Sequence, residues 1–152
     1  MKIRPLIEKF DALAAWLQSP LLFLVRFYWG LSFVQDGWGK LHHLDRVASY
    51  FASIGLPYPK ANVVLASGVQ IGCGALLLVG LFSRLAALPL VFTMAVAYAT
   101  AEREALQAFF SDTDKFVTAT PFLFLFASLL VLAFGPGRIS LDFLLFRRKS
   151  GP

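Results

Sequence analysis

A chain of 152 residues has the length of one domain, and 58% of it is hydrophobic against 15% charged, too few charges to clothe a soluble domain of that size. Together with a mean hydropathy of +0.69, this excludes an ordinary soluble protein and indicates a membrane one. The net charge of +5 does not call for a nucleic-acid partner, because basic residues flanking membrane spans serve topology.

Between Met1 and Trp16 there is no apolar core of a signal peptide, since Glu8, Lys9 and Asp11 interrupt it, so the chain is expected to keep its first residues. Leu6, Phe10, Leu13 and Leu17 share one helical face, and Pro5 suits a first helical turn, which predicts a short helix lying on the membrane surface. Four apolar runs then reach the length that crosses a hydrocarbon core. They cover about 20–38, 62–82, 85–101 and 117–135. Each has to be helical, because lipid satisfies no backbone donor or acceptor. The predicted fold is therefore all-α, a four-transmembrane-helix bundle. Its membrane domain covers 20–142, and a basic tail covers 143–152.

Between spans one and two, Leu44, Val47, Ala48 and Phe51 form an apolar stripe closed by Gly55 and Pro57, which predicts a second interfacial helix. Spans two and three are separated by Phe82, Ser83 and Arg84 alone, a tight hairpin. Pro89 predicts a kink near the start of span three. Residues 102–116 are too polar to span; Phe109 and Phe110 are expected at the interface, and Ser111 or Asp112 is expected to cap span four.

Lys2, Arg4, Lys9, Arg84, Arg138, Arg147, Arg148 and Lys149 fall on one side of this topology. Lys40, Arg46, Lys60, Arg103 and Lys115 fall on the other. The bias predicts both termini in the cytoplasm.

The chemistry-bearing residues cluster on two spans. Arg26, Gly30, Phe33, Gly37 and Lys40 share one face of span one, and the glycines allow another helix close approach. Arg26 stands about 9 Å from the predicted start of its span. It either snorkels to the interface, contacts a ligand, or pairs inside the bundle with Asp142 or the carbonyls around Gly135. At the other end of span one, Asp36 and Lys40 are i, i+4 partners. Span two presents Ser67, Gln70 and Gly74 on one face. The buried amide of Gln70 needs a partner from another helix or from a ligand, and Gly68 with Gly72 reads as a packing motif. The adjacent His42 and His43 lack a third ligand for a metal. Cys73, the only cysteine, reads as a packing residue. No nucleophile constellation or phosphate loop is present.

The ordered set R-x3-G-x6-G-x2-K (Arg26, Gly30, Gly37, Lys40), FASIGLPYP, SGVQIGCGALLLVGLFSRLAA and GPGRISLD resembles the DoxX family of small four-helix bacterial membrane proteins, over residues 20–142. The resemblance implies an inner-membrane protein associated with quinone-linked or other redox systems, with a redox enzyme as partner. Family members often carry glutamate where Gln70 stands, and glutamine exchanges no proton at neutral pH. The resulting expectation is a redox-system subunit or accessory without a covalently bound cofactor or catalytic centre of its own. A quinone would sit between spans one and two, met by Gln35, Asp36, Lys40 and Gln70, under a lid of Trp38, Phe51 and Tyr58. Arg26, Arg84, Arg138 and Asp142 are the structural polar residues. A membrane scaffold and a small-molecule permease are the alternatives. Besides the lipid bilayer, a second copy of the chain is a candidate partner.

Overall fold

The computed structural model describes residues 4–146, with 4–6, 9, 11–13 and 146 described by backbone alone. Lys2, Arg147, Arg148 and Lys149, counted in the charge bias, lie outside the described residues. The described chain is an all-α bundle with three helices long and apolar enough to cross a membrane and a shorter apolar fourth.

Helix α1 runs unbroken from Arg4 to His42, 39 residues, about 58 Å at 1.5 Å per residue. The surface helix expected over residues 1–19 is therefore continuous with span one. Pro20 sits inside the helix, where it removes the donor to the carbonyl of Trp16. Ser19 is anchored from outside, its Oγ accepting from the backbone N–H of Arg138 at 3.3 Å. Leu6 and Leu13 of the expected stripe fall among the residues described by backbone alone. Phe10 and Leu17 are exposed.

Helix α2 (Leu44–Ser53) is the expected short helix, with Ala48 buried against the bundle. Gly55, at φ +79°, ends it with its N–H on the carbonyl of Ala52 while Leu56 reaches that of Phe51. Helix α3 (Pro59–Val79) begins three residues earlier than predicted because Pro59 pre-sets the first turn. It stops before Phe82 because Gly80 adopts a left-handed conformation at φ +72°, and Leu81 then bonds back to Leu76. The exposed ion pair Lys60–Asp45, 2.8 Å, links α2 to the first turn of α3. The hydrogen bond from the Lys60 ammonium holds the Asp45 carboxyl below its usual range. Its small contribution fades as pH falls through the lowered carboxyl value.

Helix α4 (Ser83–Thr100) contains Pro89. Residues 102–116, expected as a polar loop, hold the short helix α5 (Arg103–Gln107) and the start of α6 (Thr113–Thr118). Asp112 caps α6, accepting from the N–H of Lys115 at 3.1 Å, rather than capping the fourth span itself. Phe109 and Phe110 are exposed, as an interfacial position requires.

The fourth span is where the structure departs most from a continuous 117–135 helix. Ala119 is extended, and α7 runs only from Pro121 to Phe134, 14 residues. That is about 21 Å of helix against a hydrocarbon core of about 30 Å. Pro121 cannot donate to the carbonyl of Val117 and would clash with it, so the helix restarts there. The tyrosine hydroxyl of Tyr98 donates to the carbonyl of Phe116 at 2.8 Å, satisfying backbone at this interruption, as non-helical chain in a membrane protein requires. Helix α8 (Leu141–Phe146) closes the described chain.

The bundle is built from antiparallel neighbours, α1 on α3, α3 on α4 and α4 on α7, with α7 returning to α1. Phe33, Leu77, Ala87, Leu90, Met94 and Val131 form the buried core, and Phe124 packs edge-on against Phe33 and Trp29 with ring centroids 4.8 and 4.9 Å away. Large apolar side chains such as Leu65 and Phe92 point outward, 66% and 71% exposed. In a soluble protein such a surface would aggregate; in a bilayer it meets lipid.

Candidate functional site

Two polar clusters interrupt the apolar bundle, one toward each end of the α1–α3 pair. The first surrounds Arg26, which is 1% exposed. Its Nη1 donates to the carbonyl of Leu77 at 2.8 Å, its Nε to that of Pro136 at 3.0 Å, and its Nη2 to that of Ile139. Leu77 lies in the last turn of α3, where carbonyls lack helical donors and the helix dipole favours a cation. The guanidinium thus fastens α1 to the end of α3 and to the segment after α7. Among the alternatives for Arg26, the carbonyls beyond Gly135 are its hydrogen-bond partners.

Asp142 does different work. Its two carboxylate oxygens accept from the backbone N–H groups of Phe82 and Ser83, at 2.6 and 2.9 Å, capping α4 from outside. Its own N–H donates to the carbonyl of Gly80 at 2.8 Å. A Cβ on Gly80 would run into Arg26 Nη1 and lie 2.8 Å from Ser140 Cβ, so this turn needs glycine both for its φ and for the space. Arg84 donates to the carbonyl of Ala133 at 3.2 Å, and Arg138 is exposed beside Ser19.

The second cluster is Asp36, Lys40 and Gln70. The Lys40 ammonium donates to Asp36 Oδ2 and, at 2.9 Å, to Gln70 Oε1; Gln70 Nε2 donates to the same Asp36 oxygen at 2.8 Å. Gln70 is 1% exposed, whereas the side chains of Lys40 and Asp36 keep 25% and 41% exposure. Of the four residues expected around a ligand these three lie together, whereas Gln35 is exposed. The i, i+4 pair on α1 is positioned for Gln70 by backbone contact between the helices. A Cβ on Gly37 would stand 2.9 Å from the carbonyl of Ser67, and one on Gly74 would stand 3.0 Å from that of Gly30. Gly68 and Gly72, read as a packing motif, meet nothing within 4 Å; the close-approach glycines are Gly30, Gly37 and Gly74.

Sequence reading missed the roles of Gly80 and Ser140. The signal for Gly80 was present, a glycine ending an apolar run three residues before Ser83. Ser140 caps α8, accepting from Phe143 N–H at 3.2 Å and donating to Gly137 at 2.8 Å. Of the expected lid residues, Trp38 and Tyr58 are exposed and Phe51 is half-buried. His42 places Nδ1 3.1 Å from the carbonyl of Trp38, and no metal-ligand cluster occurs among the described residues.

The family model for DoxX matches residues 21–103, which contain Arg26, Gln35, Asp36, Lys40, Gln70 and Arg84. The chain is 33% identical over 138 residues to an uncharacterized membrane protein of Mycobacterium tuberculosis, covering 86% of this chain and 85% of that protein. No solved structure matches. The family match takes in α1 from Leu21 onward, all of α3 and the Asp36–Lys40–Gln70 cluster, with Arg26 but not its partners Pro136 and Ile139, and the chain belongs to the DoxX family of membrane proteins.

Proposed function

We propose that this protein is the membrane subunit or accessory of a quinone-linked redox system, supplying a binding site but no redox centre of its own. The observation that supports this reading is the Asp36–Lys40–Gln70 cluster. An ammonium has three donors, and two are spent on Asp36 and Gln70. The third is left for an acceptor such as a quinone carbonyl, and the partial exposure of Lys40 and Asp36 leaves room for its approach. Gln70 contributes no proton, so its work here is to hold Lys40 and Asp36 in place.

The protein purified in mild detergent is expected to carry extractable quinone, and Lys40→Met to lose it. Absence of quinone from both proteins, with no thermal shift on adding it, would favour the second reading, a membrane scaffold. That reading has its own support: each nitrogen of Arg26 and both polar atoms of Gln70 are satisfied within the chain.

We further propose an inner-membrane placement with both termini cytoplasmic, supported by the Lys and Arg bias. A reporter fused at Pro152 is expected to signal from the cytoplasm; a periplasmic signal would reverse the topology.

A further inference from the structure

An apolar groove of about 930 Å³ runs between the N-terminal half of α1 and the C-terminal half of α7. Leu17, Leu21 and Leu24 line one wall, and Phe126, Leu130 and Phe134 the other. From Phe126 to Phe134 it extends about 12 Å along the helix axis. It lies on the lipid-facing side of the bundle, so its occupant comes from the bilayer. Its apolar length fits one acyl chain.

The end of the groove near Phe134 is polar. Gln18 lines it, and the backbone N–H of Arg138 is tied to the next residue, donating to Ser19 Oγ. Arg84 stands on the other side of the end of α7, bonded to the carbonyl of Ala133. Both arginines are exposed. The nearby Asp142 carboxylate has its two oxygens on Phe82 and Ser83 N–H groups, so it is committed to the α4 cap. Pro20 leaves the carbonyl of Trp16 without its helical donor, an acceptor for a hydroxyl at the same level. An apolar trough ending in a glutamine amide and a spare acceptor, with the exposed Arg138 beside it and Arg84 across the end of α7, matches one bilayer component in charge and in shape.

We propose that this groove is a binding site for an anionic phospholipid. One acyl chain lies against Leu21 and Leu130, the phosphate meets Gln18 and Arg138, Arg84 across the end of α7 adds positive charge to that end, and a head-group hydroxyl reaches Trp16. The site is separate from the Asp36–Lys40–Gln70 cluster, and either can fail without the other.

The test uses the full chain in neutral detergent, titrated with phosphatidylglycerol or with phosphatidylcholine of the same acyl chains, and read by native mass spectrometry and thermal shift. Phosphatidylglycerol is expected to bind more tightly and to raise the melting temperature more. Arg138→Gln is expected to weaken phosphatidylglycerol roughly fivefold, the worth of one cation at a membrane surface, and to leave phosphatidylcholine unchanged. Leu21→Trp, which fills the groove from an exposed position, is expected to weaken both lipids. Equal binding of the two lipids would overturn the proposal, as would a preference that survives the Arg84→Gln, Arg138→Gln double variant. A dimer that Leu21→Trp converts to monomer would overturn it in favour of a second copy of the chain.

Discussion

Arg26→Leu is expected to lower the unfolding free energy in detergent by about 3 kcal/mol or more, the range seen when a buried charged network loses one partner. The change strands the carbonyls of Pro136 and Ile139, now held by the guanidinium, and leaves that of Leu77 with the N–H of Gly80 alone; each buried unsatisfied acceptor costs about 1–3 kcal/mol. Arg26→Lys should fall between wild type and leucine, because an ammonium lacks the planar fork that reaches three separated oxygens. Asp142→Asn should cost less, since the amide keeps one acceptor for the α4 cap. Arg26 and Asp142 hold the same turn around Gly80 from opposite sides, so the double variant should show a coupling of about 0.5 kcal/mol or more. Thermal and denaturant unfolding of the four proteins would measure this. Wild-type stability for Arg26→Leu would show that the socket contributes nothing, and strict additivity would remove the shared turn.

The glycines provide the second large contrast. In Gly74→Leu the new Cβ alone would lie 2.9 Å from Phe33 Cβ and 3.0 Å from the carbonyl of Gly30. The neighbour on one side is backbone, so α1 and α3 have to separate. Overpacking of this kind costs about 1–3 kcal/mol. The separation should also pull Gln70 from Lys40, so quinone retention, where present, should fall together with stability. Gly68→Leu and Gly72→Leu point into open space and replace a poor helix former by a good one, so they should be neutral or stabilising by up to about 1 kcal/mol. Thermal unfolding of the three single variants ranks them directly. If Gly68→Leu or Gly72→Leu proved the damaging change, the buried face of α3 would be wrongly assigned.

Much of the candidate site could be read from periodicity. Arg26, Gly30, Phe33 and Gly37 recur at helical spacing and are all buried, as are Ser67, Gln70 and Gly74. Asp36 and Lys40 are paired by their spacing alone. Helix periodicity gives these faces without any knowledge of neighbours. It does not say which of two small-residue faces on one helix meets protein. On α3, Ser67–Gly74 and Gly68–Gly72 are equally good candidates by spacing, and only the approach of α1 to Ser67 and Gly74 separated them. For the same reason Gln35, next in sequence to Asp36, proved exposed.

The sequence by itself determined the membrane class, the number of apolar helices, the α2 helix with its Gly55 stop and a tight turn before the third span, which falls at residues 80–82 rather than at Phe82, Ser83 and Arg84. These follow from hydropathy and from the backbone limits of glycine and proline, which are local. Tertiary structure decided whether each proline ended a helix. Pro20 is carried through α1, whereas Pro121 starts a new helix after extended Ala119, where Tyr98 from α4 satisfies the carbonyl of Phe116. It also decided the partner of Arg26. From sequence, a carboxylate at Asp142 and the carbonyls near Gly135 were equally available. The choice rests on where the chain after α7 folds back, because that return places the carbonyls of Pro136 and Ile139 at the guanidinium and the Asp142 carboxylate at the start of α4. A hydrogen bond forms between groups brought within about 3 Å, and no local pattern in the sequence encodes a distance between residues more than one hundred positions apart.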